Sequence, residues 1–199
     1  MKKALLMIFA LLSCILAVAQ NVQVSKGKEF KVVAETEVYD DNSMSFLYTE
    51  LVVANNRAAS SYVQIFREQK FWEAPLYIHA EFRTFLAEGF TTNNVYMLGG
   101  AWGAIAKENG YLTLEALYRY DDTHNWQFTV VSGYNKGRFT FSNYADFYGI
   151  DRLYMFSENK FFYRLAKNLQ VGANIELGIN TREGEAFSCY PFAVLRIDL

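Results

Sequence analysis

Apolar and polar residues alternate along this chain, segment after segment, from about Lys28 to Leu199. In one segment the apolar residues are Leu76, Ile78, Ala80 and Phe82, and the intervening residues are Tyr77, His79, Glu81 and Arg83. Successive side chains of a β-strand point to opposite faces, so this period of two predicts strands with one apolar and one polar face. About a dozen such segments favour an all-β fold, an antiparallel up-and-down transmembrane β-barrel whose apolar face contacts lipid.

The first residues are typical of a secretion signal. Lys2 and Lys3 form a positively charged start, residues 4–16 are apolar except for Ser13, and Ala17-Val18-Ala19 supplies the small residues of a cleavage site. The apolar run is too short for a comfortable membrane-spanning helix. We therefore expect a signal peptide at residues 1–19, cleaved after Ala19.

A second interpretation of this segment stays open, because Leu11-Leu12-Ser13-Cys14 resembles a lipoprotein signal in which Cys14 would be acylated. The residues that follow Cys14 are strongly apolar, which is unusual at the start of a mature lipoprotein. Residues 20–199 show no linker, low-complexity tract or change of composition. They predict a single barrel domain.

The composition favours strands and argues against nucleic-acid binding. The chain is 52% hydrophobic and 17% aromatic, with 17 Phe and 14 Tyr. Aromatic side chains fit pleated strands, and Tyr and Trp favour the boundary between membrane and water. The formal net charge of −2 provides no basic surface for nucleic acid.

Cysteines and histidines are too few for the common metal centres. After signal cleavage Cys189 is the one remaining cysteine, which excludes an internal disulfide and a thiolate cluster. His79 and His124 are the two histidines, and no spacing pairs them into a metal site. The sequence predicts neither a metal site nor a cofactor.

Turn residues divide the mature chain into twelve predicted strands. These are residues 21–25, 28–39, 43–54, 60–68, 74–84, 94–105, 110–120, 125–134, 138–148, 153–164, 169–180 and 188–199. The first is short and weak, and the count is eleven without it. Bacterial single-chain barrels have an even number of strands, so parity favours twelve, within a range of ten to twelve.

The connections should alternate between the two sides of the membrane. If the last strand ends on the periplasmic side, the turns near 40–42, 69–73, 106–109, 135–137 and 165–168 are periplasmic. The loops near 55–59, 85–93, 121–124, 149–152 and 181–187 then face outward. These loops are short, so a large plug is not expected.

Side chains that contact lipid must be apolar, because Lys or Arg at the midplane of the bilayer costs about 2–4 kcal/mol. The predicted outward residues are Phe30, Val32, Ala34, Val38, Leu47, Leu51, Val53, Leu76, Ile78, Ala80, Phe82, Leu112, Leu114, Ala116, Tyr118, Phe139, Phe141, Ala145, Phe147, Ala193, Leu195, Ile197 and Leu199. The opposite face carries many ionisable groups, which need partners or water. Alternation alone does not tell inside from outside; the signal peptide, the aromatic content and the chain end favour a wet interior.

The last segment, Phe192 to Leu199, alternates to the final residue. Outer-membrane barrels commonly finish on such a strand, whose hydrophobic terminal residue is read by the barrel-insertion machinery. We expect that machinery and outer-membrane lipid as partners.

Several segments resemble a known family. They are FWEAPLYIHAEF (71–82), TNNVYMLGGAW (92–102), LTLEALYRY (112–120), FTFSNYADFYG (139–149) and LQVGANIELGIN (169–180). They are similar to an uncharacterised family of bacterial outer-membrane proteins, itself similar to the nucleoside-specific channel-forming porins of Tsx type. The resemblance covers roughly residues 40–199. It implies a twelve-stranded barrel and passage of nucleosides or similar small solutes.

Nine polar side chains are candidates for the lumen and for contact with a solute. They are His79, Glu81, Arg83, Glu115, Arg119, Tyr144, Asp146, Tyr148 and Glu176. Charged rings select solutes in pores, and tyrosines beside a carboxylate could hold a base and a sugar. The alternative is structural, since small barrels are often filled by their own side chains.

Catalysis is not expected. Glu35 and Glu37 share a strand face, as a glycosidase pair could, but no Ser-His-Asp arrangement, metal-ligand cluster or phosphate-binding glycine loop accompanies them.

Three hypotheses on function follow. The first is a passive outer-membrane channel of a Gram-negative bacterium for nucleosides or comparable polar solutes. The second is a sealed outer-membrane barrel with a structural or binding role. The third is a secreted soluble barrel with its apolar face inward around a ligand, although twelve segments exceed the eight of lipocalin-like barrels.

Overall fold

The computed structural model describes residues 19–54, 57–87, 92–122, 124–149, 153–180 and 187–199. The predicted signal peptide, except for Ala19, and Cys14 lie outside the described residues. So do all or part of the predicted loops near 55–59, 85–93, 121–124, 149–152 and 181–187. None of the described residues forms a helix long and apolar enough to cross a membrane.

Twelve antiparallel strands form one closed barrel, in which each strand pairs with its neighbours in sequence and β1 pairs with β12. The strands are β1 Asn21–Lys26, β2 Phe30–Asp40, β3 Ser43–Ala54, β4 Arg57–Lys70, β5 Leu76–Ala87, β6 Thr92–Lys107, β7 Gly110–Tyr120, β8 Asn125–Lys136, β9 Phe139–Tyr148, β10 Tyr154–Ala166, β11 Leu169–Asn180 and β12 Ser188–Asp198. The predicted fold class and strand count are confirmed. The structure lengthens β4 and β6 at both ends.

The short β1 closes the barrel. It pairs with β12 from Asn21 opposite Asp198 to Lys26 opposite Ala193, and with β2 over the same six residues. The backbone N–H of Leu199 adds a hydrogen bond of 2.8 Å to the carbonyl of Gln20. Because an open sheet edge cannot be satisfied in lipid, this closure is what makes a spanning sheet viable.

Turns of two to five residues join β2 to β3, β4 to β5, β6 to β7, β8 to β9 and β10 to β11 at one end of the barrel, which we call the turn end. Both the start of β1 and the finish of β12 lie there. The opposite end, called the loop end, carries the connections that follow β1, β3, β5, β7, β9 and β11. The turn end matches the side that the sequence assigns to the periplasm.

Burial in this barrel is inverted relative to a soluble protein. Large apolar side chains on the outer face are exposed, such as Leu98 at 62% and Phe128 at 57%, whereas the inward His79 and Gln127 are exposed by 1% and 0%. Leu76 and Ile78, predicted to face lipid, are 44% and 45% exposed. A soluble barrel with its apolar face around a ligand, the third hypothesis, is therefore wrong.

A few polar side chains interrupt the apolar outer face, and they form hydrogen bonds with one another. Asn143 on β9 donates to Oδ1 of Asn159 on β10 at 2.9 Å, and Asn159 donates to Oγ of Ser157 at 3.0 Å. Nearer the turn end, Arg67 donates to the hydroxyls of Ser45 and Ser43, at 3.1 Å each. Bonds of this kind reduce the cost of exposing polar groups to lipid.

Candidate functional site: the polar lumen

The barrel encloses a cavity of about 1260 Å³ whose lining reaches both of its ends. Tyr39, Asp41 and Asn42 line it at the turn end, and Phe85 and Phe156 line it at the loop end. The cavity thus extends along the barrel axis from one end to the other, and we call it the lumen.

The inner face brings together six side chains from β4, β5 and β9, which we call the arginine cluster. Its members are Glu68, His79, Glu81, Arg83, Tyr144 and Asp146. His79 lies between two carboxylates, with Nδ1 3.0 Å from Oε1 of Glu68 and Nε2 3.2 Å from Oε2 of Glu81. Arg83 donates from Nε to Glu81 at 2.5 Å and from Nη1 to Asp146 at 2.6 Å. One arginine therefore links carboxylates on two distant strands.

The bond from Arg83 to Asp146 crosses the lumen, because β6, β7 and β8 lie between β5 and β9 in the barrel. Asp146 is fully supplied with donors: Thr129 at 2.7 Å, Gln127 at 2.9 Å and the Tyr144 hydroxyl at 2.8 Å also bind it. Buried charges are tolerated when they are paired and hydrogen-bonded in this way. Asp146 is accordingly a well-anchored charge in the wall.

Arg119 and Tyr148 extend this wall toward the loop end. The Arg119 guanidinium lies 4.4 Å from the centre of the Tyr148 ring, and its Nε donates to Asp121 at 2.5 Å. Nη1 of Arg119 also donates to Gln127 at 3.2 Å, which connects the pair to Asp146. Tyr148 stacks in turn on Tyr154, with ring centres 5.2 Å apart. The loop-end side of the lumen thus presents flat aromatic and guanidinium faces.

A second group, the seam cluster, lies on strands near the closing seam. Its members are Lys31, Glu35, Glu50, Glu158, Lys160 and Glu176. Lys31 lies 2.7 Å from Glu176 and 3.6 Å from Glu50, and Lys160 lies 3.2 Å from both Glu35 and Glu158. The bond from Lys160 on β10 to Glu35 on β2 also crosses the lumen. Each glutamate in this cluster has a lysine within reach.

All nine predicted lumen residues line the cavity. His79, Glu81, Arg83, Tyr144 and Asp146 meet in the arginine cluster, Glu115 approaches His79, Arg119 stacks on Tyr148, and Glu176 belongs to the seam cluster. Their contact with a solute stays a prediction.

The candidates omitted several residues that complete these clusters. Glu68, Gln64, Gln127, Thr129, Lys31 and Lys160 are among them. The sequence does contain a signal for them, because each lies at a polar position in the alternating pattern of its strand. Glu68, Gln64, Gln127 and Thr129 meet partners on the neighbouring strand, which depends on strand register. Lys31 and Lys160 reach Glu176 and Glu35 across the closing seam, which depends on barrel closure. Alternation encodes neither.

The lining of the lumen is acidic. Among the described residues it includes twelve carboxylates: Glu35, Glu37, Asp40, Asp41, Glu50, Glu68, Glu81, Glu115, Asp146, Glu158, Glu176 and Asp198. The cations are seven: Lys31, Lys70, Arg83, Arg119, Lys160, Arg164 and Arg196. A cavity lined by an excess of one sign concentrates solutes of the opposite sign.

Solved porin structures share this fold. The KdgM porin in complex with disordered oligogalacturonate is 13% identical with a TM-score of 0.57, and the NanC porin is 10% identical with a TM-score of 0.60. Each likeness covers 90% of this chain and 98% of the porin. No curated protein sequence matches the chain.

The predicted resemblance to an uncharacterised family agrees with the comparison of sequence families, whereas the further relation to nucleoside-specific channels stays a prediction. The sequence model of a domain of unknown function, DUF5020, matches residues 15–198. The chain therefore belongs to the DUF5020 family.

Proposed function

We propose that this protein is an outer-membrane channel through which small polar solutes diffuse passively. The observation that carries the proposal is the cavity lined from the turn end to the loop end inside a closed barrel with an apolar exterior. Lipid on the outside and water on the inside satisfy both faces of such a barrel. The proposal involves no cofactor, no energy source and no catalytic step.

The sign of the lumen charge indicates which solutes pass most readily. The excess of carboxylates favours cationic and neutral solutes over anions. The KdgM structure contains oligogalacturonate, which is a chain of acidic sugars. The present lumen is suited to the opposite charge, so a shared barrel fold need not mean a shared solute.

Nucleosides are the neutral solute class that we propose. Tyr148 and Arg119 present flat faces to the lumen, and Tyr62 lies beside Gln64 in the same lumen. Aromatic rings can stack on a base, while carboxylates and amides accept or donate hydrogen bonds to sugar hydroxyls. The support is thus chemical complementarity between lumen side chains and both halves of a nucleoside.

The proposed location is the outer membrane of a Gram-negative bacterium, after signal cleavage behind Ala19, with insertion guided by β12. Membrane fractionation, heat-modifiable gel mobility and N-terminal sequencing of the mature protein test these points. Recovery of the protein without detergent, or a mature chain that begins at an acylated Cys14, would contradict them.

A liposome-swelling assay tests the channel. We expect faster swelling with lysine and with adenosine than with glutamate and galacturonate of comparable size, because the acidic lumen repels anions. Protein-free liposomes and heat-unfolded protein are the controls. Equal rates for lysine and glutamate would contradict the charge preference, and exclusion of nucleosides would contradict the proposed solute class.

The sealed barrel is a second candidate, favoured by the bonds that cross the lumen from Arg83 to Asp146 and from Lys160 to Glu35. If these bonds close the lumen, folded wild-type protein is silent in swelling assays. An Arg83→Met, Lys160→Met double variant should then conduct. If the lumen is open, wild-type protein conducts and the double variant conducts more.

A further inference from the structure

We propose that Glu68, His79 and Glu115 form a binding site for a divalent transition-metal ion in the lumen wall. One ligand atom from each of the three residues lies within 4.8 Å of the others, and all three side chains are buried. The inference goes beyond the proposed channel, because it holds whether or not the barrel conducts.

The backbone explains why these three side chains meet. Glu68 and His79 are directly opposite each other in the β4–β5 pairing. Glu115 belongs to β7, two strands from β5, and the intervening β6 presents Gly99 and Ala101 at the facing positions. Because these residues are small, Glu115 can reach over β6 toward His79.

Glu115 supplies an independent indication of a missing partner. Its side chain is buried, with 8% exposure, yet it accepts no hydrogen bond from the described residues. By contrast, Glu81 is bound by Gln64, His79 and Arg83. The Glu115 carboxylate lines the lumen and has no ion-pair or hydrogen-bonding partner among the described residues of the wall, and a cation placed between Glu115 and Glu68 would give it one.

His79 has the surroundings of a metal-binding histidine. With Nε2 directed at Glu81 and Nδ1 at Glu68, the ring can keep its Nε2 proton for Glu81, while a metal ion would displace the proton between Nδ1 and Glu68 to solvent and be bound by Nδ1. Histidine ligands are usually oriented by such a second hydrogen bond to a carboxylate. Glu81 is itself held by Arg83 at 2.5 Å, so the ring orientation is fixed.

The donor set indicates the class of metal. One imidazole and two carboxylates suit Zn²⁺ and its divalent neighbours. In tetrahedral Zn²⁺ sites with bonds of about 2.0–2.1 Å, ligand atoms lie about 3.3 Å apart. The 3.0 Å between Nδ1 of His79 and Oε1 of Glu68 is already close to this spacing. The fourth position would face the lumen and be open to water or a solute.

Calorimetric titration of Zn²⁺ into detergent-solubilised protein tests the site. The protein should carry no polyhistidine tag, should be stripped of metal, and should have Cys189→Ser, because that exposed thiol could bind zinc by itself. We expect one Zn²⁺ per barrel. Co²⁺, used as a spectroscopic probe, should show the visible absorption of a low-symmetry site.

Two variants and one control assign the ligands. Glu115→Gln removes a ligand without breaking a hydrogen bond, and His79→Gln removes the imidazole. Each should weaken Zn²⁺ binding by at least the roughly 10-fold to 100-fold that loss of an outer-shell partner costs. His124→Gln changes the other histidine and should leave affinity unchanged. Heat-modifiable mobility confirms that each variant is folded. Unchanged affinity in folded Glu115→Gln, dependence on His124, or absence of stoichiometric binding would overturn the proposal.

Discussion

The seam cluster and the arginine cluster neutralise similar numbers of carboxylates in different ways. In the seam cluster two lysines serve four glutamates, and each glutamate lies within 3.6 Å of an ammonium group. In the arginine cluster the guanidinium of Arg83 and the imidazole of His79 serve Glu68, Glu81 and Asp146, while the neighbouring Glu115 is left without a donor.

This difference distinguishes carboxylates that are held by ion pairs from a carboxylate that is free to bind a cation. Lysine is a flexible point charge that can shift between acceptors, whereas the planar fork of arginine fixes two acceptors at once. The seam cluster is therefore complete and adaptable. Both clusters hold four carboxylates and two basic side chains once Glu115 is counted, but the arginine cluster is rigid and leaves Glu115, next to a histidine, without a donor, which is the arrangement that a cation can exploit.

The largest expected effect comes from Arg83→Met. The substitution leaves Glu81 and Asp146 without their shared cation, and breaking a buried pair costs about 3 kcal/mol or more of unfolding free energy. Urea unfolding in detergent or lipid, followed by tryptophan fluorescence, measures the change. Arg83→Lys keeps the positive charge but loses the planar guanidinium that binds two carboxylates at once. Its unfolding free energy should therefore lie between those of wild type and Arg83→Met.

Lys160→Met should cost less, about 1–2 kcal/mol, although it also frees two carboxylates. Asn174 still donates to Glu158 at 2.9 Å, which retains part of the stabilisation. The same urea experiment applies. If Lys160→Met proved more costly than Arg83→Met, the seam cluster would be the rigid one and the comparison would be reversed.

Two glutamate-to-glutamine variants should change the unfolding free energy in opposite directions. Glu176→Gln replaces the carboxylate that accepts the 2.7 Å bond from Lys31 by a neutral amide, which removes the ion pair and should lower the unfolding free energy by about 1 kcal/mol. Glu115→Gln in metal-free protein removes a buried charge that has no donor and should leave stability unchanged or slightly higher. A loss of stability in both variants would show that Glu115 is as well paired as Glu176.

The smallest effect concerns one of the donors to Asp146. Thr129→Val removes the hydroxyl that donates at 2.7 Å and should cost about 0.5–1 kcal/mol, because the other donors remain. Thr113→Val is the matched control, on the same inner face, and should change stability little. Equal costs for the two substitutions would mean that the bond from Thr129 contributes nothing specific.

Strand alternation predicted most of the fold, because an apolar outer face and a polar inner face require opposite side chains at successive positions. It placed all twelve strands to within a few residues and assigned the polar face of β5 correctly, from His79 to Arg83. Parity supported the weak first strand, which the structure shows to be the closing strand between β2 and β12.

The long-range contacts could not be predicted in this way. Arg83 and Asp146 are 63 residues apart, and Glu35 and Lys160 are 125 apart, so their meeting depends on barrel closure and strand stagger. The proposed metal site was missed for a different reason. The sequence contains no pair of histidines at metal-binding spacing, whereas the structure gathers one histidine with two carboxylates across the small residues of β6.

Planar-bilayer recording under a salt gradient tests the central claim most directly, namely that the barrel contains a continuous, acidic, water-filled lumen. Purified folded protein should give discrete conductance steps in KCl, with a reversal potential on the side expected for preferential K⁺ passage. Folded protein that inserts but does not conduct, or a reversal potential of the opposite sign, would contradict the account.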